Sequence, residues 1–306
     1  MADRIKETDF MKHPFKDWLI AVRPWSFPAS AMPVIASIAY AYAHYQTPNW
    51  LNGIWALLNI IIFHAAGNTW SDYFDYKRKV DAEDTFGVKT LTSGQFQPKE
   101  IYFLSWGLLA VALMAGIGLW LRTGMPLLYI GVGGLACSLL YPYLKYHALG
   151  DLVIFIAYGL LPTLGTVYAM TLHLDPEVLY IALPIGLITV AILHCNNTRD
   201  IQTDQRARIR TIAMNIGPKD SVRLYCFEVL FPFAWMTGCI IAGILPVWCL
   251  LVWIAFFPAL QNTRKAIRYF KEGSGAIADL DQGTAQLQLA FSLLLALSFV
   301  LARLIG

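Results

Sequence analysis

Charge is what this chain has least of. Lys, Arg, Asp and Glu together make up 14% of its 306 residues, against about 25% in an ordinary water-soluble domain. With 57% of the residues hydrophobic, only a far larger protein could hide that much apolar surface in a soluble core, so a solvated globule is excluded. Cysteines are few and unpatterned: Cys137, Cys195, Cys226, Cys239 and Cys249 sit in or beside apolar runs. Without paired spacing they suggest neither a zinc site nor a disulfide framework, and they read as small buried hydrophobes. No linker rich in Pro, Gly or Ser and no low-complexity segment divides the chain. The net charge of +3 says little by itself, and no nucleic-acid partner is expected. The polar, mixed-charge segment Met1–Ala21 lacks the basic start, apolar middle and small-residue cleavage site of a secretory signal. Overlapping its end, Phe15–Val22 is amphipathic and is expected to lie along a membrane surface as a short helix.

What the chain does have is a series of apolar runs. Nine approach the roughly 20 residues that cross a bilayer: Phe27–Tyr45, Ile54–Trp70, Ile101–Leu121, Met125–Tyr143, Leu152–Leu172, Val178–Leu193, Val222–Ile241, Leu245–Leu260 and Thr284–Leu304. Backbone in lipid must hydrogen-bond within its own segment, which selects helices. The expected fold is therefore all-α: one polytopic membrane domain over residues 1–306, with nine transmembrane helices around a central cavity. The longest polar stretches, Lys77–Glu100, Arg199–Lys219 and Asn262–Gly283, fall on one face under this numbering and predict a cytoplasmic cap. The same numbering puts 21 of the 23 Lys and Arg residues on that face, with only Arg122 and Arg303 opposite. The positive-inside rule then makes the N-terminus cytoplasmic and the C-terminus external, in the cell (inner) membrane. Most of these cations set topology and meet anionic lipid.

Against this apolar background two acidic motifs stand out. The first reads Asn68-Thr69-Trp70-Ser71-Asp72-Tyr73-Phe74-Asp75, and the second Asn196-Asn197-Thr198-Arg199-Asp200-Ile201-Gln202-Thr203-Asp204. Carboxylates at a membrane face are costly and are usually there for function. Residues three, four and seven apart share a helix face. Asn68, Ser71, Asp72 and Asp75 thus form one polar stripe, and Asn196, Asp200 and Asp204 another, with Asn197 at its edge. The two motifs form a weak internal repeat, on what is expected to be the cytoplasmic face. Each stripe offers oxygen ligands only, the set that suits Mg²⁺ held by a few carboxylates and substrate phosphate. His64 and His194 stand nearby without making a His-rich transition-metal pattern.

Bare carboxylates repel a diphosphate, so a metal must intervene and cations should help. Arg199, Arg206, Arg208 and Arg210 flank the second motif, Lys77, Arg78 and Lys79 follow the first, and Arg23 lies at the mouth of the first run. Arg forks match phosphate oxygens, which makes Arg23, Arg199 and Arg210 candidate diphosphate contacts. A diphosphate held by Mg²⁺ at the mouth of an apolar cavity suggests a lipid diphosphate. If it is allylic, metal coordination promotes departure of the diphosphate and leaves a carbocation. Aromatic faces stabilise such a cation, and Trp70, Tyr73, Phe74, Tyr141, Tyr143 and Tyr146 lie close to the motifs. The acids are expected to be exposed at the cavity mouth. A membrane carrier binding an ion or proton through them is the non-enzymatic alternative.

These residues resemble the UbiA superfamily of intramembrane prenyltransferases, and within it the branch that prenylates 1,4-dihydroxy-2-naphthoate in menaquinone biosynthesis. The resemblance covers nearly the whole chain. Arg23-Pro24 with Pro33 resembles the opening Arg-Pro element, and His64–Asp84 the first aspartate motif. Tyr141–Asp151, with Lys145, Leu149 and Gly150, resembles the segment joining the fourth and fifth helices. Asn196-Asn197-x-Arg199-Asp200-x3-Asp204, continuing to Arg210-Thr211, resembles the second aspartate motif, and its doubled Asn before Arg-Asp is the most specific stretch. The resemblance implies Mg²⁺ ions bridging both motifs and a polyprenyl diphosphate, an aromatic acceptor, and a prenyl tail running between helices to lipid. It also implies loss of the acceptor's carboxylate. Asp72, Asp75, Asp200 and Asp204 become the expected catalytic acids and, with Asn68, the expected metal ligands. Arg23, Asn68, Lys145, Asn196, Asn197, Arg199 and Arg210 become the expected substrate contacts. Ser71 stands where the family usually has Asn immediately before the first Asp; an alternative register puts Asn68 in that role, with Asp72 as the second acid and Tyr76 in place of the third, and the third acid could equally be Asp81 as Asp75. Arg208-Ile209 replaces a frequent Gly-Lys, a charge that Arg210 or Arg208 would supply. A relative acting on 4-hydroxybenzoate, or a terpene cyclase without an acceptor, is the alternative within the family.

Overall fold

The computed structural model describes residues 13–78, 80, 89–207 and 209–305. Among these the chain is helical and has no strand, only one isolated parallel bridge between His147 and Arg210. The helices are α1 Phe15–Val22, α2 Pro28–His44, α3 Trp50–Lys77, α4 Pro98–Thr123, α5 Met125–Lys145, α6 Gly150–Ile154, α7 Leu161–Thr171, α8 Leu179–Arg199, α9 Ile201–Arg206, α10 Ile212–Ile241, α11 Phe256–Glu272 and α12 Leu280–Ile305. A π-helical stretch, Phe155–Leu160, joins α6 to α7.

Local chemistry explains the helix ends. The Asn49 side chain accepts from the Asn52 amide at the start of α3. Gln97 and Glu100 form a reciprocal capping box around Pro98 at the start of α4, each satisfying an otherwise orphaned backbone donor. Thr211 caps α10. That helix then breaks at Gly217 (φ 81°) before Pro218, because a left-handed φ suits glycine and proline removes a helical donor.

Seven described helical segments are long and apolar enough to cross a membrane: Trp50–Lys77, Pro98–Thr123, Met125–Lys145, Gly150–Thr171, Pro176–Arg199, Ile212–Ile241 and Ser274–Ile305. They coincide with seven of the nine expected runs. The other two take different forms. Phe27–Tyr45 folds as α2, which has 17 residues. Leu245–Leu260 divides into a 3₁₀ segment, Val247–Ala255, and the first turn of α11. A 3₁₀ helix rises about 2 Å per residue, so this run gains length without α-helical pairing. The short helix expected at Phe15–Val22 forms with those bounds. All five cysteines are free; Cys195, Cys239 and Cys249 are buried, and Cys137 and Cys226 are half-buried.

The main core lies where α8, α10, α12 and α2 meet. Ile181, Ile185 and Ile188 pack with Tyr225, Val229, Phe233 and Met236 and with Leu287, Phe291, Leu295 and Phe299, all at helical spacing. Close approach between backbones does similar work elsewhere. A Cβ on Gly159 would lie 2.7 Å from Gly186 Cα, and one on Gly186 would lie 2.8 Å from the Phe155 ring. Such small-residue crossings are how helices pack when lipid removes the hydrophobic drive between them. Leu58, Phe103, Met114, Leu121, Tyr129, Ile241 and Leu297 remain exposed, as expected of side chains that face acyl chains. α3 packs against α5, and α6, which follows α5, packs against both α5 and α8.

Candidate active site

The first acidic motif forms the last three turns of α3, and the second runs from the end of α8 through a break at Asp200 into α9. Two segments from elsewhere in the chain hold cations against the first of them. Arg23 lies at the hinge between α1 and the 3₁₀ turn Pro24–Ser26, in a left-handed conformation (φ 56°), which is uncommon for a side chain with a Cβ. Asn68 holds that hinge: its Nδ2 donates to the Val22 carbonyl and to Ser26 Oγ, both at 3.0 Å. The hinge aims the Arg23 guanidinium at Asp72, with which it is ion-paired. Asn68 therefore acts through its amide N–H₂ on the Arg23 loop.

Lys145, the last residue of α5, closes on the same stripe. Its Nζ is 2.6 Å from Asp75 Oδ2 and 3.2 Å from Ser71 Oγ, and it lies over the rings of Tyr141 and Tyr146, 5.5 and 5.3 Å from their centroids. The Tyr146 hydroxyl donates to the other Asp75 oxygen. Asp72 and Asp75 are buried, which corrects the expectation of exposed acids: each carboxylate is enclosed by the cation or hydroxyl it binds.

In the second motif Arg199 grips its neighbour Asp200 with both forks, Nε–Oδ1 and Nη2–Oδ2 each at 2.8 Å. Arg199 Nη1 also donates to the Ala278 carbonyl and lies 3.8 Å from Asp281, which ties the motif to α12. Asn197 Nδ2 donates to Asp151 Oδ1 at 3.2 Å. Among the described residues Asn196 Oδ1 is buried without a partner, as is Arg23 Nε. Arg210 joins the site by its backbone: its N–H donates to the Tyr146 carbonyl, and its carbonyl accepts from Ala148. Its side chain is exposed. This pairing ties the segment after the second motif to the linker that carries Lys145 and Tyr146. Asp81 and Arg208 lie outside the described residues.

The two stripes share one electrostatic environment. Burial pushes the Asp204 carboxyl up to about 7, with Asp200 and Asp75 adding to the rise and Lys145 and Arg199 opposing it. Asp204 on α9 thus feels Asp75 on α3 and Lys145 on α5. A site with several carboxylates in a low-dielectric setting favours a cation among them. The donor atoms are all oxygens, and the orphaned Asn196 Oδ1 offers one more buried acceptor, so the residues present fit a hard dication such as Mg²⁺. The unpaired Arg23 N–H fits a phosphate oxygen.

The linkage of several buried groups near this site escaped the sequence reading. Asp151 and His194, both named there, join Ser221 and Glu228, which were not, in a linked polar cluster beside Asn197. Glu228, a single acid inside the apolar run Val222–Ile241, was a sequence signal left unread. Asp281 at the start of α12 was the other omission.

The chain matches the UbiA prenyltransferase family over residues 30–275. It is 34% identical over 236 residues to UbiA prenyltransferase domain-containing protein 1 of Xenopus tropicalis, covering 74% of this chain and 67% of that protein. With the protein of the same name from Mus musculus it is 32% identical over 312 residues, covering 98% and 88%. A UbiA homologue from Archaeoglobus fulgidus solved with GPP and Mg²⁺ superposes with a TM-score of 0.65 at 13% identity, over 92% of this chain and 99% of that one. Digeranylgeranylglyceryl phosphate synthase superposes with a TM-score of 0.65 at 18% identity, over 94% and 98%; at these identities the likeness is one of fold. The carrier alternative falls away, and the chain belongs to the UbiA prenyltransferase family: it is an integral membrane protein and a prenyltransferase.

Proposed function

We propose that this protein transfers a polyprenyl group from a polyprenyl diphosphate to an aromatic acceptor, with Mg²⁺ held by Asn68, Asp72, Asp75, Asp200 and Asp204. The observation that carries this is the pairing of Arg23 with Asp72 and of Lys145 with Asp75 on the first acidic stripe, in a chain of the UbiA prenyltransferase family. Mg²⁺, when bound, neutralises the diphosphate and stabilises it as a leaving group. The protein's own residues do the rest. Arg23 and Lys145, held by Asp72 and Asp75, are the cations placed to take phosphate oxygens. Arg199 keeps Asp200 oriented, and Asn196, Asn197 and Arg210 complete the contacts to the head group. The Tyr141 and Tyr146 rings, already beneath an ammonium, suit an allylic cation equally well. The C–O bond to diphosphate breaks and a C–C bond to the acceptor ring forms. Buried walls keep water from capturing the cation.

The acceptor we put first is 1,4-dihydroxy-2-naphthoate, with loss of its carboxylate as CO₂, as in menaquinone biosynthesis. The support is the sequence Asn196-Asn197-x-Arg199-Asp200; the two UbiA prenyltransferase domain-containing proteins named above support the reaction class and carry no acceptor in their names. We further propose one domain of nine spans around a central cavity, with the N-terminus and the acid site on the cytoplasmic side of the inner membrane. The basic excess on that side and the polar loops forming a cap support this arrangement. Purified protein in bilayers, given polyprenyl diphosphates and Mg²⁺ with a panel of acceptors, tests the reading. Prenylated, decarboxylated naphthoate supports it. Product only with 4-hydroxybenzoate, or hydrocarbon release without any acceptor, overturns the acceptor assignment.

A further inference from the structure

Beside the acid site the helices bury a second polar cluster that the reaction above leaves unused. Asp151 lies in α6, His194 near the end of α8, and Ser221 and Glu228 on α10, and all four are buried. One ligand atom each from Asp151, His194 and Glu228 come within 4.8 Å of one another, which would suit a metal by residue type. The hydrogen bonds point instead to a proton. His194 Nδ1 is 2.8 Å from Asp151 Oδ2, whereas a zinc-like ion about 2.0–2.2 Å from each would spread them to roughly 3 Å or more.

The tautomer follows from the neighbours. His194 Nε2 is 3.1 Å from the Ser221 carbonyl oxygen, which can only accept, so Nε2 carries a hydrogen. Thr198 Oγ1 donates to the His194 carbonyl and so accepts from Ser221 Oγ. That leaves a Ser221 Oγ lone pair facing Nε2 at 2.9 Å. Nε2–H is fixed from two sides. The Nδ1 side faces Asp151, with Glu228 Oε1 a further 4.0 Å contact, and the bond between Nδ1 and Asp151 needs its own proton.

Asp151 passes this order to the acid site. Its Oδ1 accepts from Asn197 Nδ2. A carboxylate binds the N–H₂ end of an amide and not the oxygen end, so the Asn197 carbonyl oxygen is turned away from Asp151. We infer that His194 is a positioning residue: through Asp151 it locks the Asn197 amide so that its oxygen is presented to the magnesium diphosphate head group. This rests on the head-group site proposed above. A second layer of hydrogen bonds of this kind typically controls about 10–100-fold in metal affinity.

Two isosteric variants of the full-length protein separate this role from packing. In His194→Asn the amide nitrogen stands near Nδ1 and can still reach Asp151. In His194→Gln it stands near Nε2 and reaches Ser221 only. Binding of inorganic pyrophosphate with Mg²⁺, followed by calorimetry in detergent, is the readout, alongside KM and kcat for prenyl diphosphate. The expected result is about tenfold weaker binding for His194→Gln, with KM rising more than kcat falls, and near-normal binding for His194→Asn. In an Asn197→Ala background His194→Gln should add less than about twofold, since both changes break one linkage. Equal losses for Asn and Gln, or effects that multiply in the double variant, overturn the inference. Absence of magnesium pyrophosphate binding in the unmodified protein overturns the head-group site itself, and the inference with it.

Discussion

Lys145→Met isolates the electrostatics of the first acidic motif. The Lys145 Nζ and Asp75 Oδ2 atoms are 2.6 Å apart, with side-chain exposures of 21% and 12%. Removing one partner of a buried ion pair costs about 3–5 kcal/mol, because the remaining charge stays buried without compensation. Partial exposure puts this pair at the lower end, about 3 kcal/mol. In a chain of this size each kcal/mol corresponds to about 2 °C, so the apparent thermal midpoint in detergent with EDTA should fall by about 6 °C. Methionine keeps the length and apolar stem, so the loss reports charge rather than volume. The double variant Lys145→Met/Asp75→Asn removes both charges. Its amide can still accept from Tyr146 and donate to Ser71, so most of the midpoint should return while turnover stays abolished. Differential scanning fluorimetry of the three proteins decides the matter. A single variant within about 1 °C of the parent, or a double variant no more stable than the single, would refute the claim that Asp75 is a buried charge held by Lys145.

Three further outcomes are expected. Asp200→Asn should abolish prenyl transfer with a small fall in midpoint, because Arg199 keeps the Ala278 carbonyl and Asp281 as partners, whereas Asp72→Ala should abolish transfer and lower the midpoint more, since it removes the whole carboxylate that pairs with Arg23; equal midpoints for the two would contradict this difference in partners. The Asp204 carboxyl, raised to about 7 by burial and by Asp200 and Asp75, holds its proton in the folded metal-free protein where the unfolded chain, with a pKa of about 3.9, has lost it. Metal-free stability should therefore decline as pH rises from about 4 to 7, while Mg²⁺ affinity rises over pH 6 to 7 with proton release. Calorimetry in buffers of different ionisation enthalpy measures that release, and none at pH 6 would count against it. Gly159→Leu should fail to fold or lose several degrees of midpoint, because a Cβ there already meets Gly186 Cα at 2.7 Å; an unaffected midpoint would mean that the helices at this crossing can separate freely.

Much of the architecture was legible because lipid imposes a simple rule. Backbone must pair within its own segment, so apolar length alone marked the seven segments that match described helices. The run Leu245–Leu260 was read by the same rule yet folds as 3₁₀ followed by α, a choice between helix types that hydropathy does not register. At the site, spacing put Asp72 with Asp75 on one stripe, because residues of one helix share a face whatever surrounds it. Spacing could not say that Lys145 and Tyr146 would close on Asp75, or that Asn197 would commit its amide to Asp151, since those bonds join residues 70 or more and 46 positions apart.

Composition and the two acid motifs thus determined by themselves that this is a membrane-embedded helical protein with oxygen-rich sites suited to magnesium. The tertiary structure alone decided that Asp72 and Asp75 are buried and held by Arg23, Lys145 and Tyr146, and that Asp151 of α6 links His194 to Asn197 of the second motif. The physical reason is one of range. Periodicity and hydropathy act within a segment, whereas burial, charge pairing and the direction of an amide depend on which helices pack together.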